Sequence, residues 1–341
     1  MRAAIYHGRE DVRIEELPDP SPRAGEVVIE VARAGGICGT DLHEYIAGPM
    51  HAAPGGVVIG HEYSGTVVGV GSGVREFTEG DRVCGVGVFF GCGECGFCKQ
   101  GAEALCGAVG FIGFAVNGAL ARYASLPTKA LFRIPDEISL AEAAVVEPIA
   151  SAYHAVRRSG LAAGGTVFIA GAGPIGLALV QFSLAKVRLR SSSVRFRRRA
   201  ALPLTGSGAT RVIDPLAEDA VEVVRTLTNG NGVDISFDAA GVQPALDAAL
   251  GVLRPPRGRL MVVAIWEAPP AGIDINRSVM REANIGFFSF FCYEAQRQVP
   301  AILDLLATGG DQLGELITDE IPLDAWSVRV SRNCASTAMH T

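Results

Sequence analysis

Thr166-Val167-Phe168-Ile169-Ala170-Gly171-Ala172-Gly173-Pro174-Ile175-Gly176, continued by the apolar run Leu177 to Leu184, reads as strand, glycine turn and helix in succession. The G-x-G-x-x-G spacing by itself is a weak signal. Its flanks here are the ones the mechanism needs: a tight turn, a backbone bare enough to approach a pyrophosphate, and a helix N-terminus facing it. Gly171, Gly173, Pro174, Ile175 and Gly176 are therefore candidate dinucleotide-binding residues.

Downstream, strand and helix patterns alternate. Arg211-Val212-Ile213-Asp214 reads as a strand, Ala217 to Leu227 as a helix, Val233 to Asp238 as a strand, Pro244 to Leu253 as a helix and Arg259 to Ile265 as a strand. Such repetition predicts an α/β unit, a doubly wound parallel sheet. Ser159 to Ala185 carries no charged residue and is long enough to span a bilayer, yet its six glycines and Pro174 fit strand, turn and buried helix better. No membrane span is expected.

The 341 residues exceed one comfortable core, so two domains are expected. Apolar residues make up 49% and charged ones 19%, the balance of a packed globular enzyme. A net charge of -6 offers no basic field for nucleic acid. Met1-Arg2-Ala3-Ala4 does not open a secretory signal, which points to a reducing, cytoplasmic setting.

In that setting Cys92, Cys95, Cys98 and Cys106, at C-x2-C-x2-C-x7-C, read as a structural zinc site. Four thiolates leave no coordination position for a substrate, so the ion would hold a loop. Two disulfides or an iron-sulfur cluster are the other readings of the spacing.

The first half is turn-rich and β-patterned. Glu26 to Ala32 alternates as a half-buried strand and leads into Gly35 to His43, where glycines bend the chain around Cys38. Val57 to Glu62 ends an apolar run on His61 and Glu62, and valines and glycines alternate through Val67 to Val74 before the turn at Gly80-Asp81. A catalytic zinc takes three ligands of the Cys, His and carboxylate kinds and keeps a fourth place open. Cys38, His61 and Glu147 are of those kinds, but no spacing rule joins them; a buried apolar thiol and a core imidazole are equally good readings of Cys38 and His61.

Cys38-Gly39-Thr40-Asp41-Leu42-His43-Glu44-Tyr45, Gly60-His61-Glu62, the four-cysteine lobe, Val146-Glu147-Pro148, the glycine loop and Asp238-Ala239-Ala240-Gly241 together resemble the zinc-containing alcohol dehydrogenases of the medium-chain dehydrogenase/reductase superfamily. The resemblance is greatest to the 2,3-butanediol and sorbitol dehydrogenase branch. It implies a GroES-like β-rich catalytic domain over residues 1–150 and 289–341, with a Rossmann coenzyme domain over 151–288. It implies two zinc ions per subunit, one catalytic and one structural. Cys38, His61 and Glu147 would hold the catalytic zinc, with Glu62 as alternative or supporting carboxylate. Thr40 and His43 would relay the proton, and Ala240 would join the glycine loop at the NAD. It also implies a small alcohol or diol substrate and a homodimer or homotetramer. L-threonine or other NAD(P)-dependent relatives, and a zinc protein with a damaged nucleotide domain, are the competing readings.

Tyr45, His51 and His154 read as packing or surface groups, Phe287, Phe288, Phe290 and Phe291 as core, and Cys334 and His340 as unsuited to metal. The pattern breaks at Val187 to Thr205, where the resemblance would place a strand ending in a ribose-binding acid. No Asp or Glu lies between Glu147 and Asp214; Arg188, Arg190, Arg195, Arg197, Arg198 and Arg199 surround a serine run instead. The arginines could grip a 2'-phosphate, hence NADP, or form a solvated loop. The reading favoured here is a shifted frame: codons for Leu189 to Arg195 can be chosen that, read two nucleotides later, yield Pro-Val-Ile-Val-Ser-Glu. Ala325 to Thr341, with no acid and no terminal strand pattern, shows the same symptom. Resequencing the gene is expected to reveal a compensating pair of insertions or deletions around this segment, and an uninterrupted frame would refute it.

Overall fold

Val27, Val28 and Ile29 are buried in succession because their strand lies inside a sheet covered on both faces, which replaces the expected alternation by a continuous apolar run. A computed structural model describes residues 1–35, 38–49, 55–87, 89–108, 110–187, 209–266, 270–287, 294–308, 316–317 and 319–326. The chain divides into two compact units, one built on Met1–Glu147 with Cys292–Gly310 and Asp319–Thr341, the other on Pro148–Phe291 with Asp311–Thr318.

The first unit contains β1 (Arg2–Gly8), β2 (Asp11–Glu16), β3 (Glu26–Ala34), α1 (Gly39–Ala47), β4 (Val57–Val58), β5 (Tyr63–Val70), β6 (Arg82–Gly85) and β7 (Phe89–Phe90). It continues with α2 (Gly96–Lys99), β8 (Gly110–Phe111), β9 (Tyr123–Pro127), β10 (Leu131–Arg133) and α3 (Leu140–Ala144), and α4 (Val146–Arg158) begins at its border. An antiparallel five-stranded sheet has the order β10-β6-β5-β3-β9, and β2-β1-β4 and β7-β8 form smaller sheets. Val27, Ile29, Tyr63, Val67, Val83 and Leu126 fill the core behind the large sheet. Trp326 packs on a second cluster with Tyr6, Val57, Ile59 and Leu120; the rest of the C-terminal stretch, 327–341, lies outside the described residues.

The second unit contains β11 (Val167–Ala170), α5 (Pro174–Val187), α6 (Ala220–Leu227), β12 (Ile235–Asp238), α7 (Gln243–Gly251), β13 (Arg259–Val262), α8 (Ile275–Met280) and β14 (Asn284–Phe287). α9 (Ala295–Ala307) returns to the first. Strands β11-β12-β13-β14 form a parallel sheet in which Ala170, Asp238 and Val262 are in register, so their carboxyl ends coincide. Helix α5 is apolar almost all round and buried through Leu177–Val180. Among the described residues no helix is long and apolar enough to cross a membrane.

Two expectations are corrected. Arg211 to Asp214 is not a strand: the Asp214 carboxylate accepts the Leu216 N–H at 3.0 Å and its carbonyl those of Ala217 and Glu218, closing a turn before α6. Phe287 is not core, being 74% exposed at the end of β14, the last strand in the described sheet order. Phe288, Phe290, Phe291, His51 and the segment 188–205 lie outside the described residues. Tyr45 is half-buried against the Tyr6 cluster and His154 is buried.

Helix α3, which precedes Glu147, starts with a capping box: Ser139 Oγ accepts the Glu142 N–H at 3.2 Å, and Glu142 Oε2 accepts the Ser139 N–H at 2.9 Å. Ser139→Ala is expected to cost about 1 kcal/mol in denaturant unfolding, while Ser139→Thr leaves the midpoint close to the unsubstituted value.

Candidate metal and dinucleotide sites

Cys38 is the N-cap of α1, with extended backbone at φ -67° and ψ 153°. Its N–H donates to Asp41 Oδ2 at 3.0 Å, and its thiol lies 3.6 Å from Thr40 Oγ1. The sulfur thus sits at a helix N-terminus, where backbone dipoles favour negative charge. Thr40 is buried, and His43, three residues further along α1 and half-buried, shares its side of the helix.

His61 follows β4 and is 1% exposed. Its ring packs against the stacked pair Phe111 and Phe114, at centroid distances of 5.2 and 5.4 Å. Neither ring nitrogen has a hydrogen-bond partner. Asp41 Oδ1, likewise without one, stands 3.7 Å from Nδ1. Glu62 comes next, and Gly35 makes room for it: a Cβ there would stand 2.3 Å from Glu62 Oε2. One donor atom from each of Cys38, His61 and Glu62 lies within 4.8 Å of the other two. Glu147, in the first turn of α4, falls outside that group; it is 2% exposed and its Oε1 has no hydrogen-bond partner.

Burial pushes the Cys38 thiol far above its ordinary pKa, and the charges of Glu62, Asp41 and Glu147 push it further. Burial, then Glu62 and Asp41, raise Glu147 in the same way. Asp41 is raised by burial against the pull of His61, and His61 is lowered by burial against the pull of Asp41. Burial thus disfavours the ionised thiol and carboxylates here, and a divalent cation placed among them would reverse that preference by stabilising the anionic forms. A thiol, an unpartnered imidazole and a carboxylate fit zinc with a position left open.

The second group is local. One sulfur each from Cys92, Cys95, Cys98 and Cys106 lies within 4.8 Å of the others, as a tetrahedron of bonds of about 2.3 Å to one zinc requires. Backbone N–H groups point at the sulfurs, from Cys95 to Cys92 at 3.4 Å, Cys98 to Cys95 at 3.5 Å and Cys92 to Cys106 at 3.3 Å. Such donors, from Glu94 and Cys95, lower the Cys92 thiol to about 6. The sulfurs are not joined in disulfides.

In the second unit Gly171, at φ 114°, ends β11; a Cβ there would lie 2.8 Å from the carbonyl of Ala239, so the glycine loop rests directly on the loop after β12. Pro174 opens α5, and the Leu177 N–H bonds the Gly173 carbonyl at 3.0 Å. Gly173, Ile175 and Gly176 complete the turn into the helix, and Ala240 lies beside it in the loop after β12.

Asp41, Phe111 and Phe114 had no assigned role in the sequence. Asp41 was detectable, standing three residues after the N-cap where a carboxylate reaches back to the cap N–H; the two phenylalanines were not.

Residues 23–136 match the alcohol dehydrogenase GroES-like domain family, and residues 174–308 match the zinc-binding dehydrogenase family. The chain is 35% identical over 341 residues to (R,R)-butanediol dehydrogenase of Bacillus subtilis, covering 95% of this chain and 93% of that one. It is 34% identical over 330 residues to sorbitol dehydrogenase of the same organism, covering 95% and 91%. A solved zinc-binding dehydrogenase of Sinorhizobium meliloti, bound to NADP, superposes with a TM-score of 0.87 at 30% identity, covering 97% of this chain and 95% of that one.

In metal-free protein the raised Glu147 stabilises the fold below its ordinary value of 4.5, and that contribution is lost as pH rises. Glu147→Gln should therefore raise the thermal midpoint of chelator-stripped protein at about pH 8 and lose this advantage near pH 4, as calorimetry at the two pH values would show.

Proposed function

The chain belongs to the zinc-binding alcohol dehydrogenase family, and we propose that it transfers hydride between a secondary alcohol or vicinal diol, of the 2,3-butanediol or polyol type, and NAD. Membership makes it a zinc-dependent oxidoreductase acting on CH–OH with a nicotinamide cofactor. The observation that carries the site assignment is His61, a buried imidazole with both nitrogens unpartnered, within 4.8 Å of the donors of Cys38 and Glu62.

Cys38, His61 and Glu62 would hold the catalytic zinc, with Glu147 as the further carboxylate whose charge reaches Cys38. Cys92, Cys95, Cys98 and Cys106 would hold a second, structural zinc. When bound, the catalytic zinc supplies a Lewis acid that makes an alcohol hydroxyl more acidic, and the nicotinamide supplies a hydride acceptor. Thr40, 3.6 Å from the Cys38 sulfur, offers a hydroxyl that can accept a proton and pass one on. His43, half-buried on the same side of α1, would carry it outward. Phe111 and Phe114 shield His61 from water, which strengthens every charge interaction beside it.

Gly171, Gly173, Pro174, Ile175 and Gly176, with Ala240, would take the dinucleotide. The second reading, NADP, is favoured by the six arginines between Arg188 and Arg199 and by the absence of any acid between Glu147 and Asp214.

A panel of secondary alcohols, vicinal diols, polyols and L-threonine, assayed with NAD and with NADP before and after chelation, tests the assignment. Turnover of a diol with NAD, abolished by chelation and restored by zinc, is expected; chelation-insensitive turnover would remove zinc from the reaction. Thr40→Ala should lower kcat by roughly 10²- to 10⁴-fold with both zinc ions retained.

A further inference from the structure

The parallel sheet presents a carboxylate to which the chemistry above gives no part. Asp238 ends β12 and is fully buried. Three neutral N–H groups converge on it: those of Ala240 and Gly241 reach Oδ1, each at 3.0 Å, and the Trp266 indole Nε1–H reaches Oδ2 at 3.1 Å. Its own carbonyl accepts the N–H groups of Val263 and Ala264 at 2.8 and 3.0 Å. One residue thereby fastens the loop after β12 to the loop after β13 from both its side chain and its backbone.

The two loops touch closely elsewhere. A Cβ at Gly241 would lie 2.7 Å from the Ile265 carbonyl, and one at Gly171 would lie 2.8 Å from the Ala239 carbonyl. The glycine loop, the β12 loop and the β13 loop therefore form one contiguous rim at the carboxyl ends of the strands, where open α/β sheets bind their ligands. Burial raises the Asp238 carboxyl while its three donors oppose that rise, so the group is costly to keep and is held by geometry.

We propose that Asp238 and Trp266 are positioning residues for the dinucleotide: their hydrogen bond fixes the β12 loop, with Ala240, against the glycine loop in the shape that receives the cofactor. This rests on the nicotinamide-cofactor reading given above. Asn at position 238 keeps the shape and one acceptor but turns its NH2 toward the indole N–H, donor against donor. Phe at position 266 removes that donor while keeping an apolar ring in place.

The experiment is a titration with NADH and NADPH, read by nicotinamide fluorescence, on the zinc-loaded parent, Trp266→Phe, Asp238→Asn and the double variant, alongside cofactor KM, kcat and thermal midpoints. Asp238→Asn should weaken binding and raise cofactor KM about tenfold, and Trp266→Phe about threefold, with saturated kcat within about twofold, because neither side chain touches reacting atoms. The double variant should bind no worse than Asp238→Asn alone, the non-additivity expected of a shared hydrogen bond. In a Trp326→Phe background, Trp266 emission should change as cofactor is added. A merely structural pair would lower the thermal midpoint and leave cofactor KM in place, and that result would overturn the proposal. If Asp238→Asn does not fold, unchanged binding by Trp266→Phe is decisive against it. Failure of the parent to bind either cofactor would remove the cofactor reading together with the proposal, whereas binding by the parent and equally by the variants would remove the proposal alone.

Discussion

Cys38, Asp41, His61, Glu62 and Glu147 are brought together largely away from water, where burial disfavours the ionised thiol and carboxylates, a cost that either protonation or a cation among them offsets. The local structure is shaped by that constraint. Gly35 yields its side chain to Glu62, the stacked rings of Phe111 and Phe114 back the imidazole, and the first turn of α1 turns its dipole and the Thr40 hydroxyl toward the sulfur. The sheets matter because His61 and Glu62 lie where the chain passes from β4 of the small sheet to β5 of the large one, while the end of β3, which pairs with β5, leads to Cys38.

The second unit solves a different problem with backbone rather than charge. A parallel sheet aligns the carboxyl ends of its strands, so the loops that follow gather at one edge whatever their sequences. Glycine at positions 171, 176 and 241 lets those loops approach more closely than any side chain would permit. The rim that results is built from N–H groups and bare Cα atoms, suited to a phosphate-bearing ligand, in contrast with the sulfur and carboxylate donors of the first unit.

Legibility in the sequence followed the range of the interactions. The glycine loop and the four-cysteine lobe could be read because each is complete within a short stretch; the first forms a strand, turn and helix and the second gathers four sulfurs. The combination of Cys38 with His61 could not be derived from spacing, since it depends on how β3 pairs with β5 and β4 with β1, and resemblance to a family supplied it. Spacing could not tell Glu62 from Glu147; an oxygen of Glu62 lies within 4.8 Å of donor atoms of Cys38 and His61, and the charge of Glu147 reaches Cys38. Arg211 to Asp214 was misread because β-branched composition suggests a strand, whereas the Asp214 side chain closes the chain on itself. Phe287 was misread because apolar composition says nothing about whether a strand has a neighbour to cover it.

The cysteine lobe and the Cys38 group differ in what must exist before either can take its ion. Everything the lobe needs, sulfurs and the amides that point at them, lies between Cys92 and Ala108. A peptide of that length can close around a metal while the remainder of the chain is still without structure. His61, by contrast, is surrounded by the rings of Phe111 and Phe114 and the carboxylate of Asp41, which separate segments contribute, so its pocket exists only where those segments meet. The two groups of candidate ligands thus differ in reach: the first is complete within one short segment, and the second exists only where distant segments meet.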